Sequence, residues 1–525
     1  MTGGATWRLL RFNLRRDRLM LLWWTLGVVL LYWSQAVSVE GLYATQAQFD
    51  RAAANMADNA AFIAMAGPAR ALNTVGGQVA WQASAFGAIV AGLLSMFLVG
   101  RHTRAEEESG RDELIRAGAV GRHAPVAAAS FTVLVANVVL GGLIAASLIV
   151  YGLAVAGSVS LGLAAALAGL VFGAVALVAA QLTESTRAMY GITGVVIGAS
   201  YVLRAVGDVG NGVLSWLSPI GWGQAMRAFS GERWWPALIS VAAVVLLVAA
   251  ALVLFERRDF GSGIVAARPG PARGGDHLRG SFGLAWRQQR AALFGWTAAL
   301  FLTGLSYGAI GDDVQDLLGD SEFAHDVFEQ GGGSVVDSFY AVAALMLALI
   351  AAGFALSSTL RPRGEEDDGR VETLLATALS RRRWGLANLT LTVCGTFLVV
   401  GAGGLGLGLG YRLVTGDGSA VGRLLGATLP YVAPVLVLVA VTWLAYGMSR
   451  RWASIGWVAL TFCVVVMFFG ELLQLPSWLV DLSPFSHLAL APAEPFAWAP
   501  FLWELALAAV IGAAGFAALT HRDLS

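Results

Sequence analysis

The sequence predicts an all-α polytopic membrane protein of about twelve transmembrane helices, arranged as two homologous six-helix halves. Three observations predict it. Apolar residues make up 57% and charged residues 13% of the 525 residues, with a mean hydropathy of +0.69, more apolar surface than a soluble core can hide. Runs of roughly 20 apolar residues, enough to cross about 30 Å of hydrocarbon, centre near Val28, Ile89, Val139, Val171, Val196, Val245, Leu300, Leu345, Val399, Leu436, Val464 and Ala508. The third observation is a duplication. Arg104 to Arg122, RAEEESGRDELIRAGAVGR, recurs without a gap 259 positions later as RGEEDDGRVETLLATALSR, Arg363 to Arg381, each time directly after a membrane-length apolar segment.

Each half is expected to open with a basic interfacial helix. Arg15-Arg16-Asp17-Arg18 precedes Trp24-Thr25, and Arg287-Gln288-Gln289-Arg290 precedes Trp296-Thr297; such a helix lies along the inner leaflet with Arg among the headgroups. The first span has no small-residue cleavage site at the usual distance, so it reads as an uncleaved anchor. An outer loop leads to the second span, the charged segment follows, and four more spans complete the half. Before the last of them, Leu217-Ser218-Pro219 in one half matches Leu482-Ser483-Pro484 in the other. Each opens an aromatic, proline-rich stretch that ends at Trp235-Pro236 or Ala499-Pro500. Broken backbone at that depth must be buried in protein, which predicts an outer re-entrant-like segment in each half. Residues 257–282, with Arg268-Pro269-Gly270-Pro271, read as a flexible cytoplasmic linker between halves 1–256 and 283–525.

Orientation follows from arginine, because the chain has no lysine. With both termini inside, the outside segments and their edges hold only Arg51, Arg70, Arg204, Arg227, Arg233, Arg412 and Arg423, and every other arginine falls inside. That asymmetry is the positive-inside signature of a multi-pass plasma-membrane protein.

The duplicated segment is the sharpest pattern in the chain. Glu106, Glu107, Glu108, Asp112 and Glu113 crowd the start of a helix expected to run to about Val120, where carboxylates favour the positive end of the macrodipole. Leu114, Ile115, Ala119 and Val120 add a modest apolar stripe. The copy repeats both features with Glu365, Glu366, Asp367, Asp368 and Glu372, then Leu374, Leu375, Ala378 and Leu379, and the pairs Gly110/Gly369 and Arg111/Arg370 are identical. A short surface helix of this kind seats in a groove of a cytoplasmic partner. A boundary role, with arginine at headgroups and carboxylates for solubility, is the alternative; repetition at fixed spacing favours docking. No His or Cys shares the pattern, which argues against a metal there.

The order of elements in each half, from basic helix through charged inner helix to re-entrant segment, resembles the permease of type-2 ABC exporters. The long fused form, with its R-x-E-E…G-R…E motif and Ala-, Gly- and Arg-rich composition, resembles actinobacterial permeases of polyketide-antibiotic exporters of the tetronasin type. The resemblance implies that the charged helices are coupling helices, with Glu106, Glu107, Gly110, Arg111 and Glu113 and their copies Glu365, Glu366, Gly369, Arg370 and Glu372 docking two copies of a separate ATP-binding subunit. ATP and Mg would then belong to the partners, with no cofactor in this chain. It further implies export of an amphipathic drug-like or secondary-metabolite molecule by ATP-driven rocking of the halves, with membrane lipid and no nucleic acid as the other surroundings.

Composition also excludes chemistry. A P-loop needs a lysine to reach the nucleotide phosphates, so a chain without lysine holds no standard one and is expected to be a transport subunit rather than an enzyme. The six histidines are scattered, no H-E-x-x-H occurs, and Cys394 and Cys463 lie within spans as small apolar residues. Polar residues at membrane depth are the candidates for a transport path: Gln35, Gln82, Asn137, Gln181, Glu471 and Glu504. Interhelical bonding is the competing reading for the amides. The second outer loop carries Asp312, Asp313, Asp316, Asp320, Glu322, Asp326, Glu329 and Asp337 with no arginine. It reads as a solvated acidic loop, with a cation site at Glu322, His325 and Glu329 or a vestibule for cationic cargo as alternatives. Two other functions stay open: an ion-coupled carrier, which needs no ATPase, and a membrane-embedded enzyme acting on lipid-linked substrates.

Overall fold

The computed structural model describes residues 3–42, 45–57, 60–118, 120–259, 261–265, 273–275, 278, 280–311, 334–469 and 475–522. Among the described residues the regular structure is helical throughout. Twelve helices are long and apolar enough to cross a membrane, and each contains one of the hydropathy centres named above. The chain divides into two compact units, Met1–Gly270 and Pro271–Ser525.

In the first unit a helix at Gly3–Arg16 breaks for one residue at Asp17 before the first span, Arg18–Leu42. The other spans are Val75–His102, Ala124–Tyr151, Val155–Leu182, Thr186–Val209 and Trp235–Arg257. The fourth span is the central one, and its small residues explain why. A Cβ on Gly162 would lie 2.2 Å from the Gly141 carbonyl oxygen of the third span, so the two backbones pack closer than any larger residue allows. Around this pair Tyr32, Leu94, Leu98, Leu140, Ile144 and Leu177 form the core. The first and sixth spans turn Leu19, Leu22, Trp23 and Leu238, Val245, Leu246 outward, where apolar surface suits lipid. The outer segment is broken as its sequence demands: a tight turn at Leu214–Leu217, then a short helix at Pro219–Ala225. The Ser218 hydroxyl caps that helix and donates to the Ser200 carbonyl at 2.7 Å, so the exposed peptide groups find partners inside protein.

In the second unit the seventh span, Ser281–Gly308, is one continuous helix. The separate basic helix expected to open this half is therefore fused to the span, with Gln289 where the first half has Asp17. The eighth span is Val335–Thr359 and the ninth Arg381–Thr415. The run Gly401 to Gly410, which dilutes the hydropathy signal, has a packing reason. A Cβ on Gly406 would lie 2.1 Å from the Phe301 carbonyl oxygen and one on Gly410 2.3 Å from that of Leu305, so the seventh and ninth spans meet backbone to backbone. The tenth span, Ala420–Met448, tightens into a short 3₁₀ turn at Leu429–Tyr431, where Pro430 lacks an N–H. The eleventh is Arg450–Met467 and the twelfth Trp498–His521. A short helix at Ser477–Val480 and a turn at Pro484–Ser486 form the second broken outer segment.

The start of the expected linker is not free. Ile264 N and Val265 N donate to the carbonyls of Gln181 and Leu182 at 3.1 and 3.0 Å, which binds this stretch to the end of the fourth span. Of the two cysteines, Cys463 is buried as expected, whereas Cys394 lies on the outer surface of its span.

Candidate functional site

Both copies of the charged segment fold alike, and not as the single helix expected to reach Val120. In the first unit a helix at Arg104–Glu108 ends, and another begins at Arg111–Arg116. In the second unit the helices are Arg361–Asp367 and Arg370–Leu375. The break is the shared glycine: Gly110 and Gly369 both have φ +70°, with open space where a Cβ would sit. Backbone conformation is therefore the reason for glycine, since other residues are strained there.

The acids that precede the glycine turn inward. In the first unit the Glu107 carboxylate is 8% exposed and takes Arg104 at 2.8 Å and Arg258 at 2.5 Å. Arg104, 1% exposed, also donates to the carbonyls of Ala180 and Ser262. Arg258 donates to the Gln181 side chain at 2.7 Å. In the second unit Glu366, 4% exposed, takes Arg522 at 2.6 Å and the Tyr446 hydroxyl at 2.8 Å. Arg258 and Arg522 are equivalent, since each caps the C-terminus of the last span of its half. The equivalence extends to the far end of the segment. Arg122 donates to the Arg258 carbonyl at 3.4 Å, and Arg381 to the Arg522 carbonyl at 2.9 Å.

Of the neighbouring acids, Glu106 reaches beyond its segment to the N-terminal helix, Glu365 pairs within its own segment, and Glu108 and Asp367 reach equivalent spans. Glu106 pairs with Arg16 of the N-terminal helix at 2.5 Å and with Arg111 at 3.8 Å. Glu365 pairs with Arg370 at 2.6 Å and Arg361 at 3.1 Å. The Glu365 hydrogen bond raises the Arg370 guanidinium above its ordinary value; burial opposes this, and the charges of Glu365 and Asp368 add to it. Glu108 accepts from the Thr186 N–H and hydroxyl, both at 2.8 Å, at the start of the fifth span. Asp367 pairs with Arg450 at 3.2 Å, at the start of the eleventh. Each loop is thus latched to the fifth and sixth spans of its own half. What remains outward is the second short helix: Arg111, Glu113 and Leu114 in one copy, Arg370 and Glu372 in the other.

Of the residues assigned to the docking role, the structure therefore splits the set. Glu106, Glu107, Glu365 and Glu366 hold the loop's shape, Gly110 and Gly369 make its corner, and Arg111, Glu113, Arg370 and Glu372 face out. The residues that sequence reasoning missed are Arg258 and Arg522. A signal for them exists, since Arg258-Asp259 and Arg522-Asp523 are the same dipeptide following the last span of each half.

The transport-path candidates are not brought together within either unit. Asn137, fully buried, donates to the Ser95 hydroxyl at 2.8 Å and the Val133 carbonyl, and Gln181 belongs to the Glu107–Arg258 latch. Gln35 is half-buried, and Gln82 bonds its own helix at Gln78. Glu504 is 2% exposed, and neither of its carboxylate oxygens has a hydrogen-bond partner among the described residues. Glu471 and the acidic positions 312–329 lie outside the described residues. Among the described residues no group of His, Cys, Asp and Glu is placed to hold a metal.

Two helical units with six membrane-length spans each, and a charged loop built and latched once in each, define a polytopic membrane protein of the permease class. Comparison with known proteins agrees. Residues 278–519 match the family model described as "Multidrug efflux system permease Rv1217c, C-terminal domain". Over 524 residues, 99% of this chain and 95% of the relative, the sequence is 38% identical to the multidrug efflux system permease protein Rv1217c of Mycobacterium tuberculosis (strain ATCC 25618 / H37Rv). The chain belongs to this multidrug efflux permease family. The family's description carries multidrug efflux and not the polyketide-antibiotic subtype.

Proposed function

We propose that this chain is the membrane subunit of an ATP-driven efflux system. It exports amphipathic drug-like or secondary-metabolite molecules, the polyketide-antibiotic class among them, from the cytoplasm, with both termini inside. Two copies of a separate ATP-binding subunit dock on the charged loops. The observation that carries this reading is the repeated latch, Glu107–Arg258 in one unit and Glu366–Arg522 in the other. A loop that served only the membrane boundary would not need a buried ion pair to the last span in both copies. Leaving one partner of such a pair unmatched costs about 3–5 kcal/mol, so the loop and the span ends move together. A push on the exposed second helix is then passed to the spans rather than absorbed by a flexible loop.

The test is to purify the full chain gently from its native membrane, identify what accompanies it, and assay ATP hydrolysis. Stoichiometric recovery of an ATP-binding subunit, reduced by combined Arg111→Glu and Arg370→Glu substitutions on the outward helix, supports the reading. A lone chain with no ATPase after crosslinking overturns it. The second reading, an ion-coupled carrier, draws on Glu504, a buried carboxylate without a partner in the twelfth span. Efflux that stops when the proton gradient collapses, and that is lost in Glu504→Gln with ATP still present, favours that reading.

A further inference from the structure

At the end of the first unit opposite its charged loop, the second and fourth spans and the broken outer segment enclose a small pocket. Arg70 and Arg227 line it together with Trp81, Ser84 and Gln224. Both arginines belong to the few that the charge asymmetry leaves on the outer side. Neither guanidinium has a carboxylate within ion-pairing distance among the described residues; Arg70 donates only to the Gln224 carbonyl, at 3.1 Å. Burial lowers the Arg70 guanidinium from its ordinary value, the facing charge of Arg227 lowers it further, Asp208 opposes this and Arg233 adds to it. A partly buried guanidinium that shares one cavity with a second like charge is unfavourably placed until an anion stands between them.

The chain goes to some length to hold this arrangement. The non-glycine residues with positive φ among the described residues are Ala71 at 47°, Arg227 at 54° and Phe229 at 59°, and all three sit on the two loops that close the pocket. Such conformations persist only where the surroundings enforce them. Here the enforcement is visible. The Phe229 ring is wedged so tightly between Gly76 of the second span and Gly157 of the fourth that a Cβ on either would lie 2.6 or 2.2 Å from it. The Gln224 amide is tied to the Ala66 carbonyl at 2.6 Å and to the Ser84 hydroxyl at 3.0 Å. Beneath the mouth a second, apolar recess shares Ser84 and Gln224 and reaches Tyr32. The Tyr32 hydroxyl is fully buried and has no hydrogen-bond partner among the described residues. The upper cavity offers about 40 Å³, room for roughly three waters, which suits a single charged headgroup and not a whole drug-sized molecule.

We infer that this pocket binds a small anionic group, a carboxylate or phosphate, held between Arg70 and Arg227. The inference does not rest on the ATP-driven reading. The group arrives either as the headgroup of an acidic membrane lipid or as a soluble anion.

Thermal unfolding of the full chain in nanodiscs separates these sources. One arm uses neutral phosphatidylcholine discs with inorganic phosphate titrated at constant ionic strength. The other uses discs containing phosphatidylglycerol without phosphate. A saturable rise in unfolding temperature is expected in at least one arm. A rise with phosphate identifies a soluble anion, and a rise with phosphatidylglycerol alone identifies a lipid headgroup. Arg227→Gly removes the charge while suiting the positive φ, so its unliganded stability should equal or exceed that of the wild type. Its apparent affinity should fall about tenfold or more, the loss of one charged hydrogen-bonding partner. No rise in either arm, or an unchanged rise in both Arg227→Gly and the Arg70→Gln/Arg227→Gln pair, would overturn the inference.

Discussion

Asp17 joins the N-terminal basic helix to the end of the second span, with His102 at 2.5 Å and Arg101 at 2.8 Å. Burial pushes its carboxyl up, but the His102 hydrogen bond and charge, with Arg101 and Arg16, together outweigh burial and hold it below the ordinary value. A depressed carboxylate contributes stability above its unfolded pKa of about 3.9 and loses it as pH falls through the folded value. The wild type should therefore unfold at a higher temperature than Asp17→Asn at pH 6, with the gap closing towards pH 3. A gap that ignores pH would mean that the carboxylate's charge is not what matters. For the latch, Glu366→Ala leaves Arg522 buried without its carboxylate and should cost about 3 kcal/mol. Adding Arg522→Ala should recover part of that loss, and a double-mutant cycle on thermal unfolding measures the coupling. Individual pairings of this kind were illegible in the sequence. Glu107 and Arg258 lie far apart in the chain, and nothing local to either says that it is buried.

Helices and their ends were more legible. Each membrane-length run became a helix because only internal hydrogen bonding satisfies a backbone in hydrocarbon. The helix expected through the charged segment failed at one residue type. Gly110 and Gly369, with φ +70°, end one short helix and aim the next outward. The sequence shows the duplicated glycine, but carboxylate crowding and the apolar stripe point to one helix. Gly110→Ala and Gly369→Ala should each cost about 1 kcal/mol and shift the exposed helix, which protease cleavage near Arg111 and Arg370 reads directly. In the second unit Gly406→Leu forces side-chain atoms into the Phe301 carbonyl. It should destabilise that unit by about 1–3 kcal/mol or more, seen as a lowered unfolding temperature.

At the scale of the molecule, arginine asymmetry makes a topology that can fail: reporters placed after Arg122 and after Arg381 should both lie inside, and an outside reporter at either point would reverse the proposed orientation. The duplication, the span number, the membrane setting and the lack of a P-loop lysine were all decided by the sequence alone. Hydropathy over 20 residues and the presence or absence of a residue type are local properties that survive without coordinates. Which charges face out and which lock the loop was decided only by the tertiary structure. So were the glycine-paved approach of the seventh and ninth spans and the pairing of Arg70 with Arg227 across one cavity. Burial and partner choice depend on residues brought together from distant segments, and a linear pattern carries the types of those residues but not their proximity.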